Sequence, residues 1–259
     1  MTTHTFKGGI HLPEYKELTV DSAVEQAFPS SKTVSIPVTQ GGAPNQPIVA
    51  VGDTVIRGQK IAESDAYMSV PVHASISGTV KSIENRLVAG NLYASCIVIA
   101  SDGSDKTAFM EPLDPFSCTK EQALERIRQA GLVGMGGAAF PTHVKLNPPA
   151  DKSIDCILIN AAECEPYLTI DTRAIIESAD KIIDGLSIIM HITHAQTGII
   201  VLEDNKLALV PVLEDAIEKA GFGEKMAVSV CKTKYPQGGE KNLVQAAVGR
   251  EIPSGGLPC

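Results

Sequence analysis

The stretch Ile154-Asp-Cys-Ile-Leu-Ile-Asn-Ala-Ala-Glu-Cys-Glu-Pro-Tyr167 places a short apolar run directly before a polar turn. The run is typical of a buried strand, and the apolar periodicity that follows predicts a long helix over 171–192. The alternation continues, with strands predicted at 198–202 and 226–231 and helices at 206–220 and 239–248. Strands that alternate with helices indicate βαβ units, and therefore a Rossmann-like α/β fold with a parallel sheet.

Polar side chains follow two of these strands, at the edge where such sheets bind ligands. Asn160, Glu163 and Glu165 could hold ribityl or ribose hydroxyls, or orient a nicotinamide, although an acidic loop capping the next helix accounts for them equally well. Tyr235-Pro-Gln-Gly-Gly-Glu-Lys241 offers a second anion or ribose candidate. By itself, that stretch is more typical of a turn with Glu240 in the first turn of a helix.

A glycine-rich segment, Gly131-Leu-Val-Gly-Met-Gly-Gly-Ala-Ala-Phe-Pro-Thr-His-Val-Lys145, follows a predicted amphipathic helix over 120–130. Thr119 is a suitable N-cap for that helix and Gly131 a suitable stop. Backbone without Cβ atoms can lie close to a ligand, and exposed N–H groups beside Lys145 suit a phosphate. A mobile loop is the alternative, and His143 could either contact the phosphate or pack within the loop.

Composition bounds the class of protein. The chain has 259 residues, a net charge of −8 and no apolar stretch near the roughly 20 residues that span a bilayer, so we expect a soluble intracellular protein without a signal peptide. The absence of a basic run makes nucleic acid an unfavoured partner. The final residues 253–259 are loop-like, which suggests a piece of a longer polypeptide.

Metal and thiol chemistry are not favoured. The six cysteines form no Cys-x-x-Cys pair, which argues against a zinc ribbon or a ferredoxin-type cluster, and we expect reduced thiols. Two flanking glutamates should raise the pKa of Cys164. His191 and His194 could ligate a metal, but no acid or cysteine lies near them in sequence, so a structural role is preferred.

Three domains are expected: an extended segment over 1–36, a small all-β module over 37–105, and the α/β domain over 106–259. The module resembles a lipoyl- or biotinyl-type barrel-sandwich hybrid. Glu63-Ser-Asp-Ala-Tyr67 stands where lipoyl domains carry their modifiable lysine. Because Ala66 replaces that lysine, we expect no covalent cofactor and a docking or structural role.

Several motifs in a fixed order give the chain a family resemblance. Residues 6–19, the glycine-rich segment, 160–169, 235–243 and 249–258 closely resemble the C subunit of the Rnf electron-transport complex, and the similarity runs from end to end. That family couples electron exchange between reduced ferredoxin and NAD⁺ to ion movement across the membrane. The resemblance implies other Rnf subunits as partners, ferredoxin as an indirect one, and a peripheral place on the cytoplasmic face of the bacterial cell membrane.

The α/β domain in turn resembles the NADH-oxidising flavin subunit of respiratory complex I. This likeness implies that the glycine-rich segment (Gly134, Gly136, Gly137, Ala138) holds FMN, with Lys145 near the phosphate. It implies that Asn160 and Glu163 contact the flavin. It also places Glu165, Phe140 and Glu240 where the relative binds NADH, with Tyr235 and Gly238 nearby; no protein side chain is assigned as catalytic.

The chain departs from the family in three ways. Ala139 and Ala161 stand where the family usually has glycine, and Ala139 would cost about 1 kcal/mol if the position needs a positive φ. The family also continues into two four-cysteine ferredoxin motifs, so we expect 4Fe-4S clusters only beyond this chain. Two alternatives stay open: the A subunit of the Na⁺-translocating NADH:quinone reductase, which lacks the glycine loop, and a scaffold that binds no flavin.

Overall fold

The computed structural model describes residues 3–28, 30–40 and 42–256, and the chain divides into two compact units. Residues 27–149 form one, called here the β unit; residues 1–26 and 150–259 together form the other, called the α/β unit. This division differs from the domain boundaries expected from sequence. The first residues belong to the α/β unit because strand β1 (Thr3–His4) pairs with its sheet, and residues 106–149 belong with the β-rich module.

The α/β unit contains a four-stranded parallel sheet in the order β1-β11-β10-β9. The other elements among its described residues, in chain order, are a short 3₁₀ helix (Lys16–Leu18), β9 (Cys156–Ala161), α3 (Ile170–Thr193), β10 (Thr197–Glu203), a second 3₁₀ helix (Asp204–Leu209), α4 (Val210–Lys219), β11 (Met226–Cys231) and α5 (Glu240–Val248). Strands and helices therefore alternate as the sequence predicts, and the parallel sheet confirms the α/β class.

Both faces of this sheet are covered, which explains why its strands read as continuous apolar runs. In β10, Ile200 and Leu202 belong to the core that contains residues of α3 and α4, while the intervening Val201 packs with Leu243 and Ala246 of α5. The predicted helix over 206–220 is wrong at its start, where residues 204–209 form a 3₁₀ helix. Pro211 lies in the first turn of α4, where its missing N–H group costs nothing.

The β unit has two antiparallel sheets around one core, which includes Val55, Ile61, Ile97 and Ile99. The first sheet has the order β2-β8-β7-β4 and the second the order β3-β5-β6. Their strands are β2 (Thr33–Pro37), β3 (Gln46–Pro47), β4 (Thr54–Val55), β5 (Lys60–Glu63), β6 (Val72–His73), β7 (Gly78–Val88) and β8 (Leu92–Ser101).

The described part of the β unit also contains α1 (Lys120–Gln129), the short α2 (Thr142–Lys145) and a 3₁₀ helix (Ala89–Asn91). The predicted start of α1 is confirmed, since Thr119 and Gln122 form a reciprocal capping box. The predicted stop is confirmed as well. Gly131 has φ +70°, and the N–H groups of Gly131 and Leu132 donate to the carbonyls of Arg128 and Ile127, as in a Schellman motif.

Candidate functional site

A cavity of about 230 Å³ lies at the carboxyl edge of the parallel sheet in the α/β unit. Three segments line it: the loop after β9, the loop after β11, and part of the N-terminal segment. The lining residues are His11, Leu12, Pro13, Glu14, Lys16, Glu163, Cys164, Glu165, Pro166, Thr233, Lys234 and Tyr235. Glu163, Glu165 and Tyr235, which the sequence predicts as site residues, are thus brought together.

Lys16 fixes the shape of the loop after β9. Its side chain is 13% exposed, and its ammonium group donates to the carbonyl oxygens of Glu163 (2.8 Å), Glu165 (3.1 Å) and Leu168 (2.6 Å). Burial lowers the pKa of Lys16, and the positive charge of Lys206 adds to that effect. This residue was not predicted, because a lysine whose partners are main-chain carbonyls leaves no motif.

Glu163 caps a helix. Its carboxylate is buried and accepts from the main-chain N–H of Asp171 at 2.9 Å and from the Thr172 hydroxyl at 3.0 Å, at the start of α3. Lys16 Nζ lies 4.0 Å from Glu163 Oε2. Burial, and then the charge of Glu163, raise the pKa of Asp171. The helix-capping alternative therefore describes the geometry of Glu163.

Asn160 and Gly238 join the loops that follow β9 and β11. The Asn160 side chain donates to the Gly238 carbonyl at 2.8 Å and accepts from the Ala162 N–H at 3.2 Å. A Cβ atom on Gly238 would lie 2.5 Å from the Ala162 oxygen, so only glycine fits this approach. Glu240 is exposed in the first turn of α5 and is not among the cavity-lining residues.

Glu165 and Cys164 are neighbours with different exposure. Glu165 is exposed at the cavity, whereas Cys164 is half-buried and accepts from the Gly238 N–H at 3.3 Å. The pKa of the Cys164 thiol is raised, as predicted, but burial is the largest cause, followed by the charges of Glu165 and Glu203. A raised thiol pKa disfavours the nucleophilic thiolate at neutral pH.

A buried charge cluster lies behind these loops. Glu203 is fully buried at the end of β10, and Lys206 Nζ lies 3.4 Å from its carboxylate. Lys234, also buried, donates to the carbonyls of Phe6 and Gly8 and sits 3.8 Å above the Phe6 ring. The cluster was not predicted, because charges just after a strand are more often solvated. Burial raises the pKa of Glu203 in spite of Lys206.

The glycine-rich segment lies in the β unit. Gly134 N–H donates to the Phe140 carbonyl at 2.8 Å, which closes a loop whose residues 134–138 are exposed. A Cβ atom built at Gly136 or Gly137 would meet no atom within 4 Å. Phe140 is half-buried and Lys145, at the end of α2, is exposed. His143 is 5% exposed, which identifies it as a packing residue.

Residues 3–28, 30–40 and 42–256 contain no group of three or more His, Cys, Asp or Glu that could hold a metal ion. Within the same ranges no helix is long and apolar enough to cross a bilayer. Cys96, Cys118, Cys156, Cys164 and Cys231 are free thiols, and Cys259 lies outside the described residues. His194 ends α3 in a left-handed conformation with φ +60°.

Two family descriptions match the chain. The RnfC barrel sandwich hybrid domain matches residues 4–104, and the Nuo51 FMN-binding domain matches residues 127–259. The first agrees with the predicted type of the β module. The second agrees with the predicted likeness to a flavin-binding domain.

Curated relatives match nearly the whole chain. The C subunit of the proton-translocating ferredoxin:NAD(+) oxidoreductase complex of Clostridium ljungdahlii is 44% identical over 98% of this chain and 55% of its own length. The Na(+)-translocating counterpart of Acetobacterium woodii is 44% identical over 98% of the chain and 57% of its own length. The C subunit of the ion-translocating oxidoreductase complex of Pseudomonas aeruginosa is 38% identical over 99% of this chain and 33% of its own length. The chain thus spans little more than half of the first two relatives.

Among solved structures, an NAD+-reducing [NiFe]-hydrogenase in the H2-reduced state is similar at a TM-score of 0.47 and 24% identity. That match covers 53% of this chain and 26% of the hydrogenase chain.

Proposed function

Because the chain belongs to the RnfC family, the C subunits of Rnf electron-transport complexes, we propose that residues 127–259 bind FMN and NAD(H) and exchange electrons between them. The observation that carries this proposal is the match of the Nuo51 FMN-binding domain over those residues. FMN, when bound, supplies the chemistry that this exchange needs, because it accepts a hydride and releases single electrons.

The glycine-rich segment fits a phosphate-bearing cofactor. The backbone at Gly136 and Gly137 borders open space, and main-chain N–H groups in such a loop are donors for a phosphate. Lys145 adds a positive charge nearby in sequence. We assign the FMN phosphate to Gly134, Gly136, Gly137 and Ala138 with Lys145, and the flavin to Asn160 and Glu163. For Glu163 this role is indirect, because its carboxylate already caps α3.

The cavity of the α/β unit fits part of a nicotinamide nucleotide. Glu165 and Tyr235 are exposed on its wall, and a carboxylate at the carboxyl edge of a parallel sheet is a common partner of ribose hydroxyls. We assign NAD(H) binding to Glu165 and Tyr235, with Phe140, Gly238 and Glu240. The chain's own residues then bind and orient the nucleotide, and none of them is required to transfer a proton.

The rest of the activity belongs to the complex. We propose that electrons pass between NAD(H) and ferredoxin through 4Fe-4S clusters in the portion of the protein that this chain does not span. The other Rnf subunits are the proposed partners. They hold the protein peripherally on the cytoplasmic face of the membrane across which the complex translocates ions.

Titration of the purified chain with FMN tests the proposal, followed by anaerobic addition of NADH. We expect saturable binding by visible absorbance and bleaching of the flavin band by NADH. Binding without bleaching contradicts the NAD(H) assignment. No binding by a folded sample contradicts the FMN assignment and favours a scaffold that binds no flavin, a second candidate that the strained backbone at Ala139 (φ +48°) supports.

Two variants test the assigned residues. Lys145→Ala should weaken FMN binding about tenfold by removing a charged partner of the phosphate, and Glu165→Ala should raise the Kd for NADH to a similar extent. Matched controls are Lys152→Ala and Glu224→Ala, since both residues are exposed and Glu224 precedes β11 at the opposite edge of the sheet. Affinities that change equally in the test and control variants would contradict the assignment of Lys145 to FMN and of Glu165 to NADH.

A further inference from the structure

We propose that the loop between β5 and β6, residues 64–71, is a platform that holds the glycine-rich segment ready for its ligand. The inference rests on the proposed function, because it names the residues that position the loop assigned to the FMN phosphate. All the contacts concerned lie within the β unit. They attach both ends of the glycine-rich segment to the platform and leave its middle exposed.

The C-terminal end is attached through His143. Because a main-chain carbonyl can only accept, His143 Nε2 carries a proton and donates to the Tyr67 oxygen at 3.0 Å. The two rings meet edge to face with centroids 5.8 Å apart. The side chain of Asn147 reaches the Tyr67 hydroxyl at 3.5 Å, the outer limit of a hydrogen bond. A buried histidine thus ties α2 to the centre of the platform.

The N-terminal end is attached through Gly131 and Arg128. A Cβ atom on Gly131 would lie 2.9 Å from the Pro71 oxygen, so helix α1 ends directly against the platform. Arg128 donates to the Ser64 carbonyl at 2.8 Å, and Gln40 donates to the Gly131 carbonyl at 3.1 Å. The last turn of α1 is therefore fixed at both the start and the end of the platform.

Between these attachments the segment is closed by main-chain bonds. Gly134 N–H donates to Phe140 O at 2.8 Å, and Thr142 N–H donates to Leu132 O at 3.1 Å. Residues 134–138 are exposed. A flexible loop loses conformational entropy when it closes on a ligand, and fixing its ends beforehand reduces that cost. The platform therefore acts on affinity without contacting the ligand, and its members are positioning residues.

Hydrogen–deuterium exchange on the full chain without FMN tests the positioning itself. We expect His143→Ala and Arg128→Ala to increase exchange of the hydrogen-bonded amides of Leu132, Gly134 and Thr142 about tenfold. His143→Gln should restore slow exchange, because its amide nitrogen can still donate to Tyr67 O. Arg126→Ala is the matched control: Arg126 also donates to a main-chain carbonyl from α1, but that carbonyl belongs to Glu111, outside the platform.

FMN affinity is the second readout. We expect His143→Ala and Arg128→Ala to raise the Kd for FMN about tenfold, and Tyr67→Ala to do so where Tyr93→Ala, an exposed tyrosine on β8, does not. Unchanged exchange over 132–142 overturns the inference, and so does faster exchange with unchanged FMN affinity. If the unmodified chain binds no FMN, the proposed function fails instead, and the exchange data still decide whether the platform orders the loop.

Should an alanine variant fail to fold, Tyr67→Ala replaces it in the exchange experiment, since this exposed side chain of the platform contacts the His143 ring. We expect a similar increase in exchange from it. No increase in this variant would again overturn the platform.

Discussion

A single residue in the glycine-rich segment carries backbone strain. Ala139 has φ +48°, a left-handed conformation that costs a residue with a Cβ atom about 1 kcal/mol. The family usually has glycine there, so the sequence suggested a cost conditional on a positive φ, and the backbone meets that condition. A strained backbone conformation of this kind persists only where the surrounding structure imposes it.

Ala139→Gly should therefore stabilise the β unit. Relief of roughly 1–2 kcal/mol of strain is opposed by roughly 0.5–1 kcal/mol of added freedom in the unfolded chain, so the free energy of unfolding should rise by up to about 1.5 kcal/mol. Urea unfolding measures it. Ala138→Gly is the control, because Ala138 has no positive φ and should lose about 0.5 kcal/mol. Equal shifts in the two variants would contradict the strain.

Residue by residue, the candidate site could be predicted from sequence where side chains follow a strand, and not where the main chain is the partner. Glu165 and Tyr235 were found because strand ends mark the ligand edge of a parallel sheet. Lys16 was not, because its three acceptors are carbonyl oxygens, which every residue possesses. The burial of Glu163 could not be foreseen either, although capping of the next helix was one of the two alternatives for its loop.

Among the elements, the end of β10 has an unusual composition. It terminates in the fully buried Glu203, whose charge is balanced by Lys206 one 3₁₀ turn later, and Glu203 Oε1 also accepts from the Lys234 N–H at 3.3 Å. Such a pair adds little net stability over apolar residues, but an unpaired member is costly. The Glu203 carboxylate therefore couples strand β10 to the 3₁₀ helix over 204–209 and to the start of the loop after β11.

Lys206→Met should destabilise the α/β unit by about 3 kcal/mol, because the buried Glu203 carboxylate is left without its close countercharge. The double variant Glu203→Gln/Lys206→Met should recover most of that loss, since neither member of the pair is then left charged without the other. Denaturant unfolding of the single and double variants measures both values. A double variant no more stable than Lys206→Met would show that the pair is not the source of the effect.

Element types were predictable from apolar periodicity, and the departures have local causes. Helix α3 and the strands β9, β10 and β11 lie within a few residues of their predicted bounds. The helix predicted from Lys206 begins late, because Pro211 is accommodated only in a first turn. Strand β1 has two residues, too few to show any alternation, so its pairing with β11 left no trace in the sequence.

At the scale of the whole molecule, the two units carry buried titratable groups of opposite behaviour. In the β unit, burial lowers the pKa of His143, with Arg128 adding to it and Tyr67 and Glu125 opposing it; burial also lowers that of His73. In the α/β unit, burial raises the pKa of Glu203 and Asp171. The units should therefore respond oppositely to mild acid.

The direction in which the stability of each unit changes with pH follows from proton binding. Below about pH 6.5 the unfolded histidines bind protons that the folded β unit does not, so its stability falls as the pH falls. Folded Glu203 and Asp171 bind protons at a higher pH than when unfolded, so the α/β unit gains stability as the pH falls toward their ordinary values. Hydrogen–deuterium exchange of core amides at about pH 7.5 and about pH 5, corrected for intrinsic exchange rates, measures the stability change of each unit.

We expect residues 97–99 to lose protection at the lower pH and residues 200–202 to keep or gain it. His73→Gln/His143→Gln should reduce the loss in the β unit and leave residues 200–202 unaffected. Parallel losses in both units, unaltered in the double variant, would contradict this assignment of the pH dependence.

The pairing of β1 with β11 also constrains the order in which the two units can fold during translation. Residues 27–149 emerge as one continuous piece and can collapse around their own core while translation proceeds. The first strand, though made earliest, has no partner until residues 226–231 leave the exit tunnel. Strand β1, made before the β unit, thus acquires its partner only after that unit is complete, and we expect a bulky fusion attached before β1 to impair the parallel sheet of the α/β unit while sparing the β unit.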